Sequence, residues 1–250
     1  MDGAGVVEQI GAEVTSVEIG ERVAFSGLGI GSEGSYAEYA VIAETQVVHL
    51  PEELSFTDAA AIGMAFPAAY YALVTRGALR EGETVLVQGA AGGVGSASVQ
   101  LAKALGARVL ATASGRDAAD LVLSLGAEAV IDFRTEDVPE RVLELTGGRG
   151  VDLIHELVLS ANLPMDVGMV AKGGRIIGTG QGPGPDATVP IGAAIAKDAS
   201  VLFMNLNNAG RAGVAAIATE AADMVVAGKV RPVIGAELPL AEARRAHEML

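Results

Sequence analysis

The sequence predicts an α/β protein built on a doubly wound parallel sheet, and three observations carry the prediction. From residue 83 onward, short apolar runs alternate with helical patterns, the order that places parallel strands under crossover helices. Those runs are near-continuous in apolar character, as in strands covered on both faces. One of them, Val85-Leu-Val-Gln-Gly89-Ala-Ala-Gly92-Gly93-Val-Gly95, ends in a glycine cluster that opens directly into an Ala-rich helical pattern.

The elements follow in chain order. Residues 3–50 read as β-rich, with apolar runs at Val6-Val7, Arg22 to Phe25, Tyr36 to Ile42 and Val47 to Leu50. Gly11, Gly20, Gly27, Gly29, Gly31 and Gly34 punctuate them as turns do. Ser55 stands as the N-cap of a helix that starts by Asp58. Strand 83–89 then leads to a helix at 93–105, and strand 107–113 to a helix at 117–125. Strand 129–132 precedes a helix at 137–145. Strand 151–156 precedes a helix at 161–170 and a strand at 174–178. After a Gly/Pro loop from Gly180 to Pro190, residues 200–206 read as a strand and 211–227 as an Ala-rich helix. From Val230 onward the pattern is a return strand and an amphipathic helix, Leu240 to Leu250.

The bulk numbers bound the function. At 250 residues the chain makes one large or two small domains, and half of it is hydrophobic. No apolar run reaches the ~18 residues of a membrane span. The longest, Ala59 to Val74, is broken by Gly63, Pro67, Tyr70 and Tyr71 and reads as a buried or interface segment. No basic leader is visible, so the compartment expected is cytoplasmic. A net charge of −14 disfavours nucleic acid and anionic membranes as partners. It leaves room for an anionic cofactor held by local N–H groups. The absence of cysteine removes disulfides and thiolate chemistry. The three histidines, His49, His155 and His247, are too scattered for a metal motif.

The glycine cluster carries the chemistry. Between a strand and a helix it turns the chain tightly and exposes backbone N–H groups at the helix N-terminus, the place where a pyrophosphate binds. In an NAD site an acid closes the second strand and takes the ribose hydroxyls. Here that strand ends Ala111-Thr-Ala-Ser114-Gly-Arg116, with Asp117 only after the arginine. Small donors beside a guanidinium suit a 2′-phosphate, which favours NADP over NAD. The other reading of Arg116 is a loop cap that solvates the helix start.

These residues resemble a known family, the zinc-free, zeta-crystallin-like quinone oxidoreductases of the medium-chain dehydrogenase/reductase superfamily. The resemblance covers essentially the whole chain. It rests on Asp2-Gly-Ala-Gly5-Val-Val-Glu8, Gly20-Glu-Arg-Val23, Gly34-Ser-Tyr-Ala-Glu38-Tyr39, Ala60-Ala-Ile-Gly63, the glycine cluster, Gln100-Leu-Ala-Lys103 and Gly147-Gly-Arg-Gly-Val-Asp152. The block His155-Glu156 … Ala161-Asn162-Leu163, with Lys172-Gly-Gly-Arg175, points to the zeta-crystallin branch.

The resemblance implies a Rossmann domain at 57–228 and an incomplete GroES-like, β-rich substrate domain. The remnant of that domain is 1–56, with 229–250 a return segment to it, so the chain is expected to be truncated at both ends. It implies NADPH, with Ala91, Gly92, Gly93 and Val94 at the pyrophosphate and Ser114 near the 2′-phosphate. Phe133 would lie beside the adenosine phosphate. Asn162, Thr179, Gly180, Gln181, Gly182, Met204, Asn205 and Leu206 would line the nicotinamide half. A lysine used by some relatives is Ala118 here, which leaves the 2′-phosphate to Arg116. Zinc-dependent relatives carry a His-Glu pair where Met1 and Asp2 stand, so metal-assisted alcohol chemistry is not expected.

The activity implied is hydride transfer from NADPH to a flat apolar acceptor, a quinone. The alternatives are an enone on an enoyl or alkenal reductase, or cofactor binding without turnover. No single catalytic side chain is expected. Tyr70 and Tyr71 read as packing, Glu156 as a possible cleft carboxylate, and His155 as a buried group satisfied in the opposite layer. The family's dimers imply a homodimer through the edge Val201 to Leu206.

Overall fold

The computed structural model of the chain describes residues 1–27 and 34–249. Gly29 and Gly31, two of the expected turn glycines, and the terminal Leu250 lie outside them. Two compact units result. The first is Met1–Pro67 with Ala209–Leu250, and the second is Ala68–Asn208.

In the first unit β1 (Gly3–Val6), β2 (Arg22–Phe25) and β3 (Val48–His49) form a small antiparallel sheet in that order. Ser55 caps α1 (Phe56–Ile62), its Oγ accepting the Asp58 N–H at 3.0 Å. The expected strand at Tyr36 to Ile42 does not form. Tyr36, Tyr39 and Val41 are exposed, and an apolar run becomes a strand only when a partner takes its N–H and C=O groups. For the same reason no strand forms between Val230 and Pro239, where Pro232 and Pro239 remove donors.

α2 (Ala65–Tyr70) runs on into a π-helical stretch, Tyr71–Arg76. The second unit then winds as predicted. Its order is β4 (Thr84–Val87), α3 (Gly93–Ala104), β5 (Arg108–Ala113), α4 (Arg116–Ser124), β6 (Ala129–Asp132), α5 (Val138–Leu145), β7 (Val151–Glu156), α6 (Leu159–Met169), β8 (Val170–Gly178), α7 (Ile191–Ala196) and β9 (Ser200–Phe203). All pairings are parallel, in the order β6-β5-β4-β7-β8-β9. Two crossovers step outward from β4 to one side, and the chain then returns to β7 and steps outward to the other. The switch point lies between β4 and β7, where doubly wound sheets open a crevice at their carboxyl ends.

Val85, Leu86, Leu110, Leu153, Ile154, Ile176 and Ile177 are wholly buried, each worth about 1.5–3 kcal/mol of burial. α6 begins at Leu159 and passes directly into β8, so that strand is longer than expected. β9 stops at Phe203, and Leu206 turns into a 3-10 segment, Leu206–Ala209, with its side chain buried. α7 was not expected; six residues with none buried leave no periodicity to read.

α8 (Gly210–Val226) packs in the first unit against β3 and the turn at Glu44–Gln46, and α1 packs there too. Packing divides the chain at 67/68 and 208/209. The carboxy-terminal helix is reduced to a turn at Leu240–Glu242 and α9 (Ala243–Glu248). Among the described residues no helix is long and apolar enough to cross a membrane.

Candidate functional site

Every residue singled out from the sequence for the cofactor stands at the carboxyl ends of the six-stranded sheet. Ala91 to Val94 follow β4, Ser114 and Arg116 follow β5, and Phe133 follows β6. Asn162 lies in α6, after β7. Thr179 to Gly182 follow β8, and Met204 to Leu206 follow β9.

The glycine turn is built by close approach. Gly89 leaves β4 at φ +63°, and a Cβ on Gly95 would lie 2.4 Å from the Gly89 carbonyl oxygen and 2.7 Å from the Ala90 Cα. Only glycine lets α3 start that near the strand. Gly92 differs. A Cβ there meets nothing nearer than 3.6 Å, and Gly92 and Gly93 are exposed. Packing does not demand glycine at 92, whereas a phosphate lying on the backbone does. Gly92 caps α3 without a side-chain bond, and no acidic residue lies in the first turn. The Ser96 N–H is the first to reach a helical acceptor, Gly92 O at 2.8 Å. The Gly92 N–H donates back to Gly89 O at 3.2 Å, and among the described residues the Gly93, Val94 and Gly95 N–H groups have no acceptor and lie at the positive end of the helix, where an anion binds. The cradle fits a dinucleotide pyrophosphate.

At the tips of β5 and β6 the charges are exposed. The Arg116 side chain is 91% exposed, with Asp120 3.8 Å away. Phe133 is half exposed. Asp132 also stands here, a residue sequence reasoning missed. Its Oδ2 accepts the Gly115 N–H at 3.2 Å and its Oδ1 the Arg134 N–H at 3.0 Å.

At the tips of β7 and β8 the polar groups are buried. A Cβ on Gly180 would overlap the Leu157 carbonyl, so glycine lets the 179–184 stretch lie against the 157–160 turn. The Leu159 and Ser160 N–H groups donate across to Gly180 O and Gln181 O. His155 is fully buried between Ser98 Oγ on Nδ1 and Thr179 Oγ1 on Nε2, both at 2.8 Å. Since Ser98 Oγ donates to Val94 O, the imidazole is the donor at Nδ1, and Thr179 donates to Nε2. Burial holds its pKa at about 4, so it stays neutral. As expected, His155 faces the layer opposite to that of Glu156 and is satisfied there, by Ser98 of α3.

Glu156 is not a cleft carboxylate: it has no exposed surface. It accepts the Val158 N–H and, on both oxygens, the Asn162 Nδ2 at 3.2 Å. The amide of Asn162, a residue expected to line the nicotinamide half, is thus held by Glu156. Leu206 is buried too, which makes its side chain a packing group. Gln88, Thr112 and Asp166 complete this buried set, also missed; a polar residue in an otherwise apolar run was the signal. A hollow of about 870 Å³ lies elsewhere, along β1 in the first unit, beside Val14, Phe25 and Tyr39.

The comparisons agree with this geometry. Residues 1–52 match the family described as alcohol dehydrogenase GroES-like domain, and 93–224 the family described as zinc-binding dehydrogenase. Human quinone oxidoreductase is 34% identical over 249 residues, 99% of this chain and 74% of the relative. The crystal structure of Escherichia coli quinone oxidoreductase complexed with NADPH superposes with a TM-score of 0.86 at 30% identity, covering 99% of this chain and 77% of that one. The enoyl reductase CurK superposes at 0.85 with 26% identity, covering 99% and 74%.

The residues present do not fit the zinc that one family description carries. There is no cysteine, and among the described residues no three His, Asp or Glu side chains cluster to share a metal. With its GroES-like segment, its parallel sheet and its quinone oxidoreductase relatives, the chain is an oxidoreductase that belongs to the quinone oxidoreductase-like branch of the NAD(P)-binding medium-chain dehydrogenase/reductase superfamily.

Proposed function

We propose that the chain is an NADPH-dependent, zinc-independent reductase of quinones. The observation that carries this reading is the glycine turn at the switch point, with room for a phosphate at Gly92, open N–H groups just after it, and an exposed arginine at the tip of the second strand. Ala91, Gly92, Gly93 and Val94 would hold the pyrophosphate. Ser114 and Arg116 would take the 2′-phosphate, and Phe133 would cover the adenosine side.

The bound nicotinamide supplies the hydride. The chain's own work is orientation and exclusion of water. Thr179 to Gly182, Met204 and Asn205 form the rim beside which the nicotinamide would lie. Thr179 is fixed by His155, and Gly180 and Gln181 by the 157–160 turn. No proton transfer from a side chain is assigned.

The reductase is proposed to work as a homodimer. β9 ends the sheet, among the described residues no strand pairs with its outer edge, where Arg76 Nε donates to the Phe203 carbonyl at 3.2 Å, and Phe203 is 64% exposed. A second copy pairing there would cover both. The CurK likeness supports one alternative, reduction of an activated C=C bond, which differs in the acceptor and not in the cofactor site.

Calorimetric titration of the 250-residue chain with NADPH and NADH tests the proposal. NADPH binding tighter than NADH, followed by turnover of a quinone in preference to an enone, is the expected result. Binding of neither nucleotide overturns it. Turnover of the enone alone selects the alternative.

A further inference from the structure

The buried acids at the switch point are more than the cofactor site uses. Glu156 and Asp166 have no exposed surface, yet they lie side by side, close enough to hydrogen-bond. Their donors are unequal. Glu156 accepts the Val158 N–H and the Asn162 amide. Among the described residues Asp166 Oδ1 accepts only Gln88 Nε2, at 3.1 Å, and Asp166 Oδ2 faces no donor if both acids are ionised. One proton resolves this: a neutral Asp166 donates from Oδ2 to an ionised Glu156. Burial first, then the Glu156 charge, push the Asp166 pKa up to about 9, so that proton is present at neutral pH.

The pair closes a continuous path. The Gly89 N–H donates to Thr112 Oγ1 at 3.0 Å, and Thr112 Oγ1 donates to Gln88 Oε1 at 2.8 Å. Gln88 Nε2 donates to Asp166, Asp166 to Glu156, and Glu156 holds Val158 and Asn162. The path begins at the glycine turn after β4 and ends at the turn after β7, the two walls of the crevice.

We propose that Asp166 and Glu156 are positioning residues: a hydrogen-bonded acid pair, joined by one shared proton, that fixes the glycine turn and the 157–162 turn relative to each other for the dinucleotide. This rests on reading the crevice as the cofactor site. The pair is intact while the proton is held. As pH rises through the Asp166 pKa, two buried carboxylates face each other and the path breaks.

Glu156 is the charge that acts on Asp166. The ionisable groups on the elements packed around α6 have other partners or face solvent. Asp152 pairs with Arg149, Arg175 with Glu83, and Arg141 with Glu136 and Glu144. Lys197 caps the Gly168 and Val170 carbonyls, and His155 sits between two hydroxyls. Glu140 and Lys172 are exposed.

The test uses the full chain and three variants of the pair. In the cofactor-free protein, infrared spectroscopy is expected to show a protonated-carboxyl band that titrates near pH 9 and is missing in Asp166→Asn. NADPH affinity is expected to fall in the wild type above that pH. In Asp166→Asn it should stay flat, because the amide donates to Glu156 and has no proton to lose. At neutral pH that variant should bind as the wild type does, whereas Asp166→Leu and Glu156→Leu should bind about tenfold more weakly, as buried groups lose their partners.

A missing band, or the same alkaline limb in Asp166→Asn, overturns the proposal. A purely structural role would lower stability in the leucine variants but leave that limb in place. Should Asp166→Leu and Glu156→Leu fail to fold, Asp166→Asn carries the test. Should NADPH fail to bind the wild type at any pH, the cofactor reading falls. The pair is then judged by amide exchange at Gly89 and Val158: faster exchange in Asp166→Asn above the transition-free neutral range than in the wild type overturns it, and protection that the wild type loses near pH 9 and the variant keeps supports it.

Discussion

The two ends of the crevice solve opposite problems. Around β4, β7 and β8, Ser98, His155, Glu156 and Asp166 are wholly buried and each has a designated partner. Around the tips of β5 and β6, Arg116 and Phe133 are exposed and bound to little. The difference teaches where substitutions act. A buried polar group left without its partner costs the whole desolvation term, while an exposed charge acts through a screened field. The buried end should therefore govern whether the crevice exists, and the exposed end which dinucleotide enters it.

The largest effect is expected at Gly95. A valine there drives its Cβ into the Gly89 carbonyl and Ala90, backbone atoms tied to Thr112. Leaving glycine in a helix gains at most about 1 kcal/mol of propensity, and overpacking costs about 1–3 kcal/mol. The clash is with backbone, so it wins. Gly95→Val should lower the melting temperature and abolish NADPH binding. Gly92→Ala, at a site with 3.6 Å of room, should melt like the wild type and still weaken binding. Equal effects at both positions would break the distinction between a packing glycine and a phosphate glycine.

Next comes the pH dependence of stability, where two buried groups oppose each other. The folded pKa of His155 is lowered to about 4. Its contribution is present above the ordinary imidazole range and lost as pH falls toward 4. The folded pKa of Asp166 is raised to about 9. Its contribution is full below the ordinary carboxyl range and lost as pH rises through 9. Between about pH 4 and 6.5 the two slopes cancel, each near 1.4 kcal/mol per pH unit at most. Above about pH 6.5 the His155 slope is spent, and stability falls as the buried pair of Asp166 and Glu156, both with raised pKa, gives up its proton. Denaturant midpoints across this range check it. Asp166→Asn should uncover an acid-side loss that the wild type hides, and His155→Gln should uncover stability that keeps rising toward acid. A variant curve parallel to the wild type would remove that group from the account.

What the sequence made legible follows the same division. The strand–turn–helix around Gly89 to Gly95 was readable because an apolar run, a glycine cluster and a helical pattern agree on one local structure. The six strands were readable once the alternation was, although β9 ends at Phe203, short of the expected run to 206. The buried network was not. Glu156 looks like a cleft acid from its place at a strand end, and only the packing of α6 shows that Asp166 and Asn162 reach it. Tyr36 to Ile42 failed as a strand because pairing is non-local, and α7 was too short to show a period. Asp132 was missed because attention to the second strand's tip ignores the third, whose carboxylate reaches Gly115 by tertiary pairing.

The smallest effects are expected at the exposed end, and they sharpen the cofactor assignment. Arg116 has only Asp120 nearby, at 3.8 Å, so its loss should leave stability unchanged. If the guanidinium meets a 2′-phosphate, Arg116→Ala weakens NADPH by about five- to tenfold and leaves NADH alone. Asp132 works against the same anion, since its carboxylate already occupies the Gly115 N–H that a phosphate oxygen would use. Asp132→Asn keeps an acceptor for that N–H and removes the charge. NADPH should then bind about two- to fivefold tighter at low salt, with the gain fading as salt rises over the Debye length. Paired titrations with NADPH and NADH at two ionic strengths read both changes. If both nucleotides respond alike to both substitutions, the strand tips carry no 2′-phosphate selectivity, and discrimination must come from the buried walls instead.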